Sequence, residues 1–214
     1  TPLDDPFPMT VPASTRLRVA LVGAGYVATH HLAALTQLDF VDVVGICDPQ
    51  LPAAQALADR FGVKRVAARL DDLADLQPQA VYVLTPPAFH AAIALQAMEM
   101  GCHVLVEKPM ADTVADCESM IAAARLRKLQ LGVNHSDLFD PVVLRALQAV
   151  RDGRIGDVVS VEIVRNSEYP PYAGGPLPGS VTQGSYPFRD LGVHGLYTIE
   201  AFLGPVRDLR VDYQ

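Results

Sequence analysis

Between residues 16 and 134 the chain repeats one pattern. A short apolar run is followed by a break, then by a longer segment rich in alanine and leucine. The apolar runs Leu17–Val22, Val41–Cys47, Ala80–Leu84, Val104–Val106 and Leu129–Val133 predict five strands. Each is almost wholly apolar, as strands covered on both faces should be. The segments between them predict helices over Val27–Leu38, Pro52–Phe61, Phe89–Met100 and Val114–Lys128. Strand and helix in strict alternation imply a parallel sheet with crossover helices. Gly62 and Gly101 fall just past two of the helices, where a left-handed residue closes the last turn. Thr113 is placed to cap the start of the fourth.

After Asn134 the pattern changes. A helix is expected from Pro141 to Arg151, followed by a strand over Val158–Arg165, where Val159, Val161 and Ile163 alternate with Ser160 and Glu162. Alternation of this kind marks a sheet with one apolar face. Residues 166–188 read as a long Pro/Gly/Tyr-rich loop, which at that length is a binding loop or disordered. A helix near Asp190–Phe202 and a strand over Val206–Tyr213 follow. Three regions result: a proline-rich arm at 1–15, an α/β domain at 16–134 and a partial second domain at 135–214.

Composition narrows the function. The chain has 214 residues, half of them hydrophobic and 19% charged, with a net charge of −7. No apolar run has the length of a membrane span. The one basic cluster, Arg125-Leu126-Arg127-Lys128, reads as a helix C-terminus rather than a nucleic-acid surface. Cys47, Cys102 and Cys117 show neither zinc spacing nor a disulfide framework. The expectation is a cytoplasmic protein that handles small molecules, without nucleic acid, membrane or metal. An export signal already removed would leave no trace.

The first predicted strand runs into Gly23-x-Gly25-x-x-Ala28. In a strand–turn–helix context this spacing is a dinucleotide fingerprint. One glycine makes the turn, the next lets the backbone approach a pyrophosphate, and a small third residue allows close packing. Gly23, Gly25, Tyr26, Val27 and Ala28 are therefore candidate cofactor contacts. Asp48 ends the second strand, where a carboxylate accepts ribose hydroxyls and repels a 2′-phosphate, so NAD is expected in preference to NADP. Thr85-Pro86-Pro87 closes the next strand as a rigid wall beside the cofactor. Thr85, Pro86 and His90 join the candidate contacts, although His90 also reads as a packing residue. The adjacent pair His30-His31 is not expected to share a metal, because neighbouring helical residues face different ways.

Glu107-Lys108-Pro109 follows the fourth run and places a charged pair where a buried strand ends. Downstream lies Asp190-x-Gly192-x-His194. With the fingerprint and Thr85-Pro86-Pro87-x-x-His90, in this order, the chain resembles the glucose–fructose oxidoreductase and inositol dehydrogenase family (Gfo/Idh/MocA) over roughly residues 16 to 210. The resemblance implies a Rossmann domain with a doubly wound parallel sheet, followed by an α+β substrate domain with an open, mostly antiparallel sheet. One face of that sheet would bind substrate, and the other would form a homo-oligomer. It also implies the catalytic set Lys108, Asp190 and His194, with Glu107 and Asn134 beside the cofactor.

Those residue types suit the oxidation of a hydroxyl carbon in a sugar, polyol or related small molecule. His194 has the intrinsic pKa for proton exchange. Lys108 can stabilise a developing alkoxide. Asp190, four residues before His194, would share its helix face and either orient the imidazole or contact a substrate hydroxyl. Tyr169, Tyr172, Tyr186 and Arg189 are candidate substrate contacts. Two alternatives stand beside this reading: an NAD-recycling glycosidase of the same fold, and a non-catalytic cofactor-binding regulator. The family's usual second domain is longer, so either the chain is a fragment, a partner completes its sheet, or the domain is a reduced one.

Overall fold

The computed structural model describes residues 16–165 and 188–212, with the side chain of Arg189 excepted. The proline-rich arm at 1–15 and the candidate contacts Tyr169, Tyr172 and Tyr186 lie outside the described residues. So does the side chain of Arg189. The chain divides into two compact units, one ending at Val133 and the other beginning at Asn134.

The first unit is built on six parallel strands: β1 (Leu17–Val22), β2 (Val41–Cys47), β3 (Val66–Ala67), β4 (Ala80–Val83), β5 (His103–Val106) and β6 (Leu131–Val133). Their order across the sheet is β3-β2-β1-β4-β5-β6. The chain winds outward from β1 in one direction, then returns to the other side of β1 with β4. That reversal makes the crevice beyond the carboxyl ends of β1 and β4 the place where such sheets take ligands.

Alternation along β1 shows how both faces are covered. Val19 and Leu21 pack with Ala28, Leu32 and Leu35 of α1 (Tyr26–Leu35) and with Ala54 and Ala58 of α2 (Leu51–Phe61). Ala20 and Val22 pack with Ala94, Ala97 and Met98 of α3 (His90–Glu99) and with Met120 and Ala124 of α4 (Val114–Arg127). Small residues dominate the helix faces, so the helices seat close to the sheet. Thr113 caps α4 by accepting the Asp116 N–H at 3.1 Å. Gly62, at φ 72°, ends α2 in the left-handed conformation.

Two elements had no signal in the pattern. β3 is only two residues long, and a 3₁₀ segment follows it at Leu70–Leu76, burying Leu70 and Leu73.

The second unit contains α5 (Pro141–Arg151), capped by Asp140 through the Val142 N–H, and α6 (Val193–Leu203). A single π-helical turn, Phe188–Gly192, leads into α6. The expected strands at 158–165 and 206–213 differ from what is found: residues 158–165 and 206–212 are irregular. Alternation supplies an apolar face, but a strand persists only when its N–H and C=O groups join a partner's ladder. Neither segment pairs with a strand among the described residues, and Val159 stands 91% exposed. The second sheet therefore has no counterpart among the described elements. No described helix is long and apolar enough to cross a membrane.

Candidate functional site

In the first unit, the turns after β1, β2, β4 and β5 all lie at the carboxyl edge of the sheet, and they carry most of the predicted residues. Gly23 follows β1 at φ 106° and donates its N–H to Cys47 O at 2.8 Å. A Cβ on Gly23 would sit 2.7 Å from the carbonyl oxygen of Leu84, so only glycine fits between β1 and β4 here. Gly25 precedes α1 with no side-chain cap, and a Cβ there would meet nothing within 4 Å. Its backbone is thus open to a close-approaching group, beside the N–H groups of a helix start. Tyr26 is 85% exposed and packs edge-on against His30 at 4.8 Å. Ala28 is fully buried, and Val27 packs against the same cluster.

Asp48 closes the turn from the other side. Its Oδ2 accepts the Ala24 N–H at 2.7 Å, and its Oδ1 accepts the Gln50 N–H at 2.8 Å. Each carboxylate oxygen has a second lone pair, so these bonds orient the group and leave it acceptor capacity. Thr85 follows β4 by two residues, and its Oγ1 is buried with no hydrogen-bond partner. A buried hydroxyl in that condition costs roughly 1–3 kcal/mol until a partner arrives. Three features of this edge fit a dinucleotide: the glycine approach, the oriented carboxylate and the unsatisfied hydroxyl.

His90, read as either a cofactor contact or a packing residue, has the burial of a packing residue. It is fully buried, with Nδ1 2.9 Å from Pro109 O and Nε2 2.6 Å from Thr85 O. Both ring nitrogens are engaged by backbone carbonyls, so the ring joins two loops. A neutral imidazole donates to only one of them; the imidazolium donates to both. His31, for which the sequence predicted no metal shared with His30, pairs with Glu107: Nε2 lies 2.9 Å from Oε1, with side chains 12% and 11% exposed. Glu107 Oε2 accepts the Lys108 N–H at 3.1 Å. Lys108 is half-buried and joined to Pro109 by a cis peptide bond.

The second unit carries Asn134, Asp190 and His194. Asn134 directly follows β6. Asp190 sits in the π-helical turn, where hydrogen bonds run from i to i+5, so the four-residue spacing to His194 is not one α-helical turn. His194 is also engaged from other elements. Its Nδ1 lies 3.3 Å from Asp137 Oδ1 and contacts the Tyr197 hydroxyl. Tyr197 Oη also accepts the Asp137 N–H at 3.3 Å, and Arg165 pairs with Asp137 Oδ2. Asp137 is thus a carboxylate beside His194 that the sequence did not single out. Burial raises the Tyr197 phenol above its ordinary pKa, so it stays protonated. His135 stacks on the Tyr197 ring at 4.1 Å; burial lowers its pKa, against an opposing pull from Glu200.

Each unit carries a cleft. One in the second unit is lined by Ser136, Asp137, Phe139, Asp140, Val143 and Arg165, a mixture of carboxylate, guanidinium and aromatic surface. A wider cleft in the first unit lies at the opposite, amino edge of the sheet, near Arg18, Gln79 and His103. It is remote from the turns described above and holds none of the predicted residues.

The sheet order and the turn geometry define a doubly wound dinucleotide-binding domain. Residues 17–135 match the family model described as "Oxidoreductase family, NAD-binding Rossmann fold", and the chain belongs to that Gfo/Idh/MocA family. It is 34% identical over 200 residues to a D-glucoside 3-dehydrogenase of Escherichia coli, covering 89% of this chain and 55% of that protein. It is 33% identical over 156 residues to inositol 2-dehydrogenase 1 of Saccharopolyspora erythraea, covering 71% and 46%. Among solved structures, GenD2 from gentamicin A biosynthesis, in complex with NAD, superposes with a TM-score of 0.76 at 30% identity, covering 92% of this chain and 56% of that one. The chain thus spans about half the length of these relatives.

Proposed function

We infer that the chain serves an NAD(P)-dependent oxidoreductase that oxidises or reduces a hydroxyl-bearing carbon of a sugar or polyol. One observation carries the reading: Lys108 follows β5 at the same sheet edge where Gly23–Ala28, Asp48 and Thr85 form the nucleotide turn. The naming of the relatives as glucoside and inositol dehydrogenases supports the substrate class. Gly25 and the start of α1 would hold the pyrophosphate, Asp48 the adenosine ribose and Thr85 Oγ1 a polar group of the cofactor. Tyr26, Val27, Pro86 and Asn134 complete the proposed surroundings.

When bound, the nicotinamide supplies hydride transfer. The residues supply the proton chemistry and the orientation. Lys108 places a positive charge against the substrate oxygen and favours its alkoxide character. His194 takes the hydroxyl proton. An Nδ1–H donated to Asp137 fixes the tautomer in which Nε2 carries the accepting lone pair. Asp137 joins Asp190 in the orienting role. Asp190 also keeps the second role open to it, an acceptor for a substrate hydroxyl.

NAD is preferred in this reading, because the oriented Asp48 carboxylate would stand against a 2′-phosphate. The test combines nucleotide titration with turnover of methyl glucoside and myo-inositol probes. NAD should bind more tightly than NADP, and Asp48→Ala should narrow the gap. Lys108→Ala and His194→Ala should each lower kcat by about 10²–10⁴-fold. Wild-type turnover in both variants would defeat the catalytic assignment, and tighter binding of NADP would defeat the use of Asp48.

A further inference from the structure

The chain on either side of Lys108 is held by two histidines from two different helices. On one side, Glu107 divides its carboxylate: Oε2 accepts the Lys108 N–H, while Oε1 meets Nε2 of His31 on α1. On the other side, the carbonyl of Pro109 meets Nδ1 of His90 on α3, whose Nε2 holds the Thr85 carbonyl. We propose that His31 and His90 are positioning residues for Lys108, acting on the backbone before and after it. The proposal rests on the reading of Lys108 as catalytic.

The anchors are rigid for a physical reason. α1 packs into the core on one face of the sheet through Ala28, Leu32 and Leu35, and α3 packs on the other through Ala94, Ala97 and Met98. Each ring therefore hangs from an element that cannot shift without disturbing a buried cluster. His31 is further fixed by the edge of the Tyr82 ring at 5.6 Å. Both imidazoles are largely withdrawn from water, which strengthens their hydrogen bonds relative to solvated ones.

A lysine needs this support more than most catalytic groups. Its ammonium sits on a flexible four-carbon stem, so its reach is set by where the backbone starts. A misplacement of about 1 Å can cost about 10²-fold in rate. Holding the loop after β5 on both sides limits that error before any substrate arrives.

The chain's lysines are Lys64, Lys108 and Lys128, and Lys64 and Lys128 are exposed. Reductive methylation with isotope-labelled formaldehyde gives each lysine a dimethyl signal in the NMR spectrum, and Lys108→Arg assigns the one of interest. His31→Ala should move and broaden the Lys108 signal and leave the other two in place. His31→Gln, whose amide nitrogen reaches the position of Nε2, should restore it. His90→Ala should do the same as His31→Ala, and His90→Asn, which keeps a donor toward Pro109, should do less. On the methyl glucoside or myo-inositol probe, His31→Ala should lower kcat about 10- to 100-fold while NAD affinity stays within about twofold.

A Lys108 signal at its wild-type position in both alanine variants would overturn the proposal. If His90→Ala does not fold, His90→Asn and the two His31 variants decide. Undiminished turnover by Lys108→Ala would instead remove the catalytic reading, and the NMR comparison would still show whether the histidines position the lysine.

Discussion

Asp48 Oδ2 accepts the Ala24 N–H at 2.7 Å, tying the end of β2 to the middle of the glycine turn. The acidic residue proposed to favour NAD therefore also shapes the glycine turn. Asp48 and Ala24 lie on neighbouring strand ends, because β1 and β2 pair in parallel up to Val22 and Cys47. The fingerprint and its distant carboxylate are one hydrogen-bonded unit.

Gly23 and Gly25 should respond differently to the same change. Gly23→Ala puts a methyl group 2.7 Å from a backbone oxygen at a φ that disfavours side chains, and should destabilise the fold by about 1–3 kcal/mol. Gly25→Ala meets open space, so its stability should stay within about 1 kcal/mol of wild type. NAD binding should nevertheless weaken, since the methyl occupies the approach to the helix start. Chemical denaturation and nucleotide titration on the pair separate the two effects. Equal stability losses would contradict the geometry.

Asp137 should matter through His194. Asp137→Ala removes the carboxylate beside Nδ1 and should lower kcat on a sugar or inositol probe by about 10- to 100-fold. Asp137→Asn keeps an acceptor oxygen there and should retain more of the rate. Nitrogen NMR of the ring reads the tautomer directly: Nδ1–H should dominate in the wild type and lose ground in Asp137→Ala. An unchanged tautomer would show that Asp137 is a bystander.

Cys47 should make the fold sensitive to alkaline pH. Burial, followed by Asp48, Asp72 and Asp71, pushes its thiol from 9.0 up to about 11. Above pH 9 an unfolded chain loses this proton while the folded chain keeps it. The contribution is therefore complete below pH 9 and is lost as pH rises through about 11. Denaturant midpoints should fall across this window, and Cys47→Ala should make the decline shallower. Burial raises Cys102 and Cys117 in the same direction, so some decline should remain. Reaction with iodoacetamide at neutral pH should be slow at Cys47, because the thiolate is scarce.

The sequence carried the first unit almost whole, because its strands are buried on both faces and their apolar runs need no context. β1 and β2 match the expected limits of Leu17–Val22 and Val41–Cys47. β3 escaped because two residues have no period to read. In the second unit, alternation over 158–165 promised a strand, but alternation carries no information about a partner ladder. The candidate positions were legible where they follow a strand end, as at Asp48 and Lys108. They were not legible where two distant positions meet. His31 and Glu107 are 76 residues apart, and their pairing follows from α1 lying over the sheet. His90 read as a cofactor contact because its motif flanks the cofactor wall; its burial was set by the loop at Pro109. Asp137 belongs to no motif, and only the fold brings it to His194.

The Glu107 carboxylate limits how this domain can be re-engineered. Exchanging the β1–α1 segment for that of another member of the family would replace residue 31 along with the glycine turn. The donor segment would then have to bring a hydrogen-bonding side chain at that position, or residue 107 would have to be redesigned with it. The glycine turn and the Glu107 contact are therefore inherited together, and grafts that treat that turn as a detachable module should disturb the loop after β5.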